Sequence, residues 1–224
     1  MNIFILIPAF NEENKIGEVI KNLKSQEQFN IIVVDDGSED KTSIVAERAG
    51  AKVLKHSINR GQGAALKTGI NYCLQNNADI IVTFDADGQQ LPEEITRLTQ
   101  PVINGEVDVC LGSRFINNTT NAPFIRKVFL KGGAVLLSKM YGVKLTDSHN
   151  GFRALSREAA EKIKLTTDKM EHASEIIEQI GKNNLKYKEV PVTVKYTEYS
   201  LSHGQRSWEA FRILYRMLFR RFVK

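Results

Sequence analysis

Short runs of Ile and Val alternate with amphipathic stretches through the first half of the chain. Residues 2–8, 31–35, 51–55 and 80–85 are brief and continuously apolar, the pattern of strands buried on both faces. Between them, residues 14–26, 41–49 and 62–75 place apolar side chains at helical spacing. A further helix is expected after Pro92, a residue suited to a first helical turn. Such alternation predicts an α/β fold with a mostly parallel sheet covered by helices. The second half is less regular. It predicts a strand at 107–112, a helix at 124–140, a loop and strand over 147–156, helices near 157–164 and 172–183, a strand at 187–194 and a last helix from about Ser207. No linker rich in Gly, Pro or Ser divides the chain, so one domain over 1–224 is expected.

In a parallel sheet, ligands bind beyond the carboxyl ends of the strands. Asn11, Asp35, Asp36, Asp85 and Asp87 all follow a predicted strand. In Ile80-Ile-Val-Thr-Phe-Asp85-Ala-Asp87-Gly-Gln89 a buried strand delivers two carboxylates, two positions apart, into a glycine turn. Alternate residues of an extended segment point the same way, so the two can converge. Like charges that close need a cation, or one must take a proton. Mg²⁺ or Mn²⁺ suits such oxygen ligands and bridges carboxylates to phosphates. A solvated acidic turn is the plainer alternative. In Ile31-Ile-Val-Val-Asp35-Asp36-Gly37-Ser38, a carboxylate suits a base or a ribose hydroxyl, whereas Ser38 and Asp40 suit the cap of the helix beginning near Lys41. In Asn59-Arg60-Gly61-Gln62-Gly63-Ala64-Ala65, small residues open a helix, whose N-terminus favours phosphate. This segment is neither a P-loop nor a dinucleotide fingerprint.

The 224 residues suffice for a substantial core, and 42% apolar with 25% charged residues is ordinary for a globular protein. No 20–50-residue repeat is present. No run approaches the roughly 20 apolar residues of a membrane span. The N-terminus, MNIFILIPAFNEE, reads as a first buried strand rather than a signal peptide. Cys73 and Cys110 read as buried free thiols of a cytosolic protein. The net charge of +5 is unevenly placed, with six basic residues and one acid from Arg206 to Lys224. That asymmetry points to an anionic partner: a lipid surface, a phosphate or a nucleic acid. Trp208, Phe211, Leu214, Tyr215, Leu218 and Phe222 recur at helical spacing beside Arg212, Arg216 and Arg220. Such a helix suits a membrane interface, or equally a place against its own domain or a partner subunit.

Six segments, IPAFNEE (7–13), VVDDGSEDKT (33–42), NRGQGAA (59–65), DADGQ (85–89), GSR (112–114) and DSHNGFR (147–153), together resemble family 2 glycosyltransferases of the GT-A fold. The resemblance is to the branch of dolichyl-phosphate mannose synthases and polyprenyl-phosphate glycosyltransferases. It covers about residues 1–155 with the motifs in family order. It implies a nucleotide-binding half at 1–110, an acceptor half at 111–206 and an amphipathic helix at 207–224. It implies that Pro8, Asn11, Glu12 and Asp36 contact the nucleotide, with Gly63 among the donor-binding residues. Asp85, Asp87 and Gln89 would hold Mg²⁺ or Mn²⁺ with the donor diphosphate, and Arg114 and Arg126 would face phosphates. Asp147 aligns with the acidic residue that serves as base or positions the acceptor, and Asp87 belongs with it in the catalytic set. Arg206, in SHGQRS, stands in a place comparable to a basic residue of the family and would contact the donor pyrophosphate, with His203 beside it, and Glu171, His172 and Glu175 could touch sugar or acceptor.

The function so implied is inverting transfer of a sugar from a nucleotide-diphosphate donor to a membrane-associated acceptor. That acceptor is a polyprenyl phosphate or a lipid-linked saccharide, or else the sugar hydroxyl of a cell-surface polysaccharide. The protein would be cytoplasmic, peripheral on the membrane through its last helix, and open to a second copy or a separate membrane protein as partner. A sugar nucleotidyltransferase would carry a glycine-rich loop where this chain has PAFNEE. A nucleic-acid-binding module would carry a motif besides the basic tail.

Overall fold

The computed structural model describes residues 1–26, 28–116, 124–147 and 150–195, apart from the side chains at 124–126, 128 and 129. Seven strands form one sheet: β1 (Ile3–Ala9), β2 (Asn30–Asp35), β3 (Lys52–Lys55), β4 (Ile80–Thr83), β5 (Val109–Ser113), β6 (Arg153–Ser156) and β7 (Tyr187–Pro191). Their order is β3-β2-β1-β4-β6-β5-β7. All pairs are parallel except those of β6, which runs against both β4 and β5. The expected strands are thus present. The reversal of β6 is what the hydrophobic pattern did not contain.

Alternation along each strand sends side chains to two separate cores. Phe4 and Leu6 of β1, with Ile32 and Val34 of β2, enter a core built with α3 (Gln62–Gln75), α6 (Arg157–Lys162) and α7 (His172–Lys182). Leu137 of α5 (Phe124–Tyr141) joins the same side. Ile5, Ile7, Ile31 and Val33 enter the other core, with α1 (Ile16–Lys24), α2 (Thr42–Arg48) and α4 (Ile95–Ile103). Both faces of the sheet are covered, which is why its central strands are unbroken Ile and Val rather than alternating with polar residues. A single turn of 3-10 helix, Pro92–Glu94, leads into α4, with Pro92 in the first-turn place expected for it. Cys73 and Cys110 are buried and free.

Arg206, His203 and the helix from about 207 lie outside the described residues, as do Ser148 and His149 and the side chain of Arg126. Among the described residues, no helix is long and apolar enough to cross a membrane.

Candidate active site

The loops after β1 and β2 are joined by hydrogen bonds running both ways. Ser38 Oγ accepts from the Asn11 N–H at 2.9 Å, and Asn11 Oδ1 accepts from the Glu39 N–H at 3.0 Å. The Glu12 and Glu13 N–H groups donate to Thr42 Oγ1 and Asp40 Oδ2, while Glu13 accepts from the Lys41 N–H. Asn11 holds φ 55°, a left-handed conformation that Asn tolerates better than most side chains. Asp40 also accepts from the first N–H of α2, at Thr42, as expected of a cap. Ser38 is turned to the neighbouring loop instead.

Asp36 is buried and surrounded by donors. Its Oδ1 meets His56 Nδ1 at 2.7 Å, its Oδ2 accepts from the Gly61 N–H at 2.6 Å, and the Arg60 N–H is shared between both oxygens. His56 Nε2 in turn meets Thr68 Oγ1 of α3 at 2.9 Å. The carboxylate therefore clamps the glycine-rich loop to the end of β2. Asp35 accepts from the Ser38 N–H and the Ser43 hydroxyl. Pro8 is buried in β1, opposite Val34.

Gly63 stands at the start of α3, where a Cβ would lie 2.2 Å from the Thr167 carbonyl oxygen. The Ala64 N–H donates to the Asp168 carbonyl at 3.0 Å. This helix N-terminus is thus met by protein backbone. The segment it meets is held by Glu175, whose carboxylate takes the N–H and hydroxyl groups of both Thr166 and Thr167. Burial acts to raise the Glu175 pKa, but these four donors outweigh it and the net shift is downward. His172 is also buried, its Nδ1 at 2.8 Å from the Lys169 carbonyl. Glu175 and His172, expected toward sugar or acceptor, are turned toward the 166–169 segment.

The carboxylate pair follows β4, with one correction to the expected geometry. The strand ends at Thr83 rather than at 85, and Ala86 and Asp87 form a turn instead of continuing extended. The ladder stops because the Asp85 N–H is taken by Gln90 Oε1 at 3.0 Å, and Gly88 turns the chain with φ 74°. Gln90 Nε2 completes the exchange with Asp85 Oδ2 at 2.6 Å. Asp87 Oδ1 accepts from the Gln89 N–H. The Gln89 carbonyl accepts from the Lys195 N–H. A cavity of about 360 Å³ lies beside Asp87, walled by Lys15, Asn22, Gln90, Pro92 and Lys195.

Burial, and then the charge of Asp87, push the Asp85 carboxyl up to about 7, against the pull of Arg153 and Arg114. Arg153, also buried, is drawn down to about 10 by desolvation, while Asp85 and Asp147 act the other way. The antiparallel course of β6 puts these charges together, since its first residues enter from the edge where β4 ends. Gly151 packs so closely on Asp85 that a Cβ there would lie 2.7 Å from Oδ1. Thr83 Oγ1 donates to the Gly151 carbonyl at 2.5 Å.

Asp147 is buried in a two-point ion pair with Arg114, which follows β5: Nε to Oδ2 at 2.7 Å and Nη2 to Oδ1 at 2.8 Å. The Asp147 N–H and the Thr146 N–H donate to Glu189 of β7, whose carboxyl is raised chiefly by burial. Asp85, Asp87, Arg114 and Asp147 are thus brought into one polar region, and Asn11, Glu12 and Asp36 line the neighbouring strand ends. Among the described residues, no group of three His, Cys, Asp or Glu side chains stands ready to hold a metal alone. The residues that sequence did not single out are His56, Gln90, Arg153 and Glu189. Arg153 stood inside the DSHNGFR segment and Gln90 beside Gln89, whereas His56 and Glu189 carried no local signal.

The strand order and the carboxylate pair beyond β4 are those of a GT-A-like α/β fold. Residues 4–164 match the profile of Glycosyl transferase family 2, and the chain belongs to that family. It is 44% identical over 220 residues to Uncharacterized protein MJ1222 of Methanocaldococcus jannaschii, covering 96% of this chain and 90% of that one. It is 37% identical to the UDP-N-acetylglucosamine–dolichyl-phosphate N-acetylglucosaminyltransferase of Methanococcus voltae, covering 96% and 94%. Among solved structures, the fold is similar to glucosyl-3-phosphoglycerate synthase from Mycobacterium tuberculosis in complex with Mn²⁺, UDP-glucose and phosphoglyceric acid. That match has a TM-score of 0.73 at 21% identity and covers 98% of this chain and 79% of that one.

Proposed function

We propose that this glycosyltransferase moves a sugar, with inversion, from a nucleoside-diphosphate donor to a polyprenyl phosphate. The observation that carries the reading is the Asp85–Asp87 pair. Asp85 and Asp87 share one half-buried turn, close enough that the charge of Asp87 adds to burial in pushing the Asp85 carboxyl up to about 7. Such a pair suits a divalent cation that takes its remaining ligands from a diphosphate and water. Asp85, Asp87 and Gln89 would hold Mg²⁺ or Mn²⁺ there. When bound, the ion neutralises charge that grows on the departing nucleoside diphosphate.

The chain's own residues supply the rest. Asn11, Glu12 and the loop clamped by Asp36 form the nucleotide side. Arg153 supplies positive charge beside the diphosphate. The acceptor phosphate oxygen attacks the anomeric carbon from the opposite face. A bond from that oxygen to carbon forms, the bond to the diphosphate breaks, and the diphosphate leaves with the electron pair. A phosphate is already an anion, so no base is needed at this step. Asp147 then serves to organise the acceptor side through Arg114. The acceptor class is supported by the dolichyl-phosphate transferase of Methanococcus voltae, which aligns over nearly its whole length.

The test is a donor screen with UDP-N-acetylglucosamine and GDP-mannose, Mn²⁺ present, with and without polyprenyl phosphate. The expected result is a lipid-linked monosaccharide formed only with metal and lipid together. Transfer to a saccharide hydroxyl with no product on the lipid would overturn the acceptor assignment.

A further inference from the structure

The loop entering β6 contains a buried polar atom that the transfer mechanism leaves unused. Asn150 is 6% exposed. Its Oδ1 accepts from the Phe152 N–H at 3.0 Å, which fixes the rotation of the amide. Its Nδ2 is buried and has no hydrogen-bond partner among the described residues. A buried donor left unmade costs more than a made bond returns, so folded proteins keep few of them, and each needs a reason.

The surroundings of Asn150 suggest that reason. One residue on, Gly151 packs against the Asp85 carboxylate. Three residues back, Asp147 is closed in its pair with Arg114. The charges of Asp85 and Asp147 are both answered by Arg153. The charged groups here have counter-charges, while the neutral donor of Asn150, three residues after Asp147 and next to Gly151, is unmatched. A neutral amide does little for a diphosphate, which calls for cations. It is well suited to a hydroxyl oxygen, whose orientation a single fixed donor can set.

We infer that Asn150 Nδ2 donates a hydrogen bond to a hydroxyl of the sugar being transferred. The inference rests on the donor reading of the site. Asp85 marks the diphosphate side and Asp147 the acceptor side, and the migrating sugar has to lie between them. Asn150 is then a binding residue that favours donors with an acceptor oxygen at that place.

Two variants separate its two atoms. Asn150→Asp keeps an oxygen for the Phe152 N–H and removes the donor, whereas Asn150→Ala removes both. Each is titrated by calorimetry with Mn²⁺ against UDP-N-acetylglucosamine and against UDP, or against GDP-mannose and GDP if the screen selects that donor. The readout is the ratio of nucleotide-sugar affinity to nucleoside-diphosphate affinity, which cancels effects on metal and phosphates. We expect that ratio to fall about three- to ten-fold in both variants, the worth of one hydrogen bond. Thermal unfolding accompanies each titration, and if the Ala variant does not fold the Asp variant carries the test alone. An unchanged ratio in the Asp variant would overturn the inference, including the case in which both ligands weaken equally. A wild type that binds neither ligand would instead remove the donor reading.

Discussion

Arg114 and Asp147, 33 residues apart in the chain, meet side by side through two short hydrogen bonds in a buried setting. The residue expected to face phosphate and the residue expected to act as base or acceptor guide are partners of one another. Each fixes the other's rotamer, and the loop after β5 is tied to the loop before β6.

Removing one member of such a pair leaves the other charged and uncompensated. Asp147→Asn should cost about 3–5 kcal/mol of stability, and Arg114→Ala a similar amount. The double replacement Arg114→Met with Asp147→Leu should recover most of that loss while transfer stays abolished. Urea unfolding beside a product assay checks this. A double variant as unstable as either single one would show that the ion pair is not the source of the loss.

The Asp85 carboxyl is raised toward about 7, so the folded state holds its proton more tightly than the unfolded chain does. The stability this gives is complete at low pH and is lost as pH rises through about 7. A divalent cation takes the proton's place. Mn²⁺ or Mg²⁺ should therefore raise the unfolding midpoint more at pH 8 than at pH 6, and chelation should reverse it. Asp85→Asn should remove both the difference and the transfer activity. An equal metal effect at the two pH values in the wild type would contradict the linkage.

Gly63 has no room for a side chain against the backbone of Thr167. Gly63→Ala should cost about 1–3 kcal/mol through overpacking. Because the same loop donates to Asp36, the KM for the nucleotide sugar should rise more than kcat falls. Steady-state kinetics and thermal melting read the two effects separately, and a fall confined to kcat would dissociate this loop from the nucleotide.

Much of the frame was legible because strands β2 and β4 are apolar runs, such as Ile31–Val34, that lead directly into acids and glycine. That signal is local: the apolar run is buried in the sheet, and its polar end is held by hydrogen bonds from the neighbouring loops. Asp36 and Asp85 could be named from it, whereas Asp147 was legible only through the resemblance of the DSHNGFR segment. Their partners could not be named. Asp36 finds His56 and Asp147 finds Arg114 only once the order of strands is known, and no local pattern encodes that order. The same limit explains Glu175, whose spacing with His172 fits one helix face while its role depends on a segment nine residues upstream. The end of β4 departs from its sequence pattern for a subtler reason. Phe84 and Asp85 look like strand residues, but a single glutamine side chain intercepts the ladder.

β6 is inserted between β4 and β5, although it is made after both. The first 110 residues consequently cannot be cut out as a bare donor-binding module. Such a fragment would present Ile80–Thr83 as a raw, oily edge with open amides and carbonyls, the kind of margin that recruits other chains. The first four strands borrow their closing strand from the later part of the chain, so neither part can be exchanged by simple grafting.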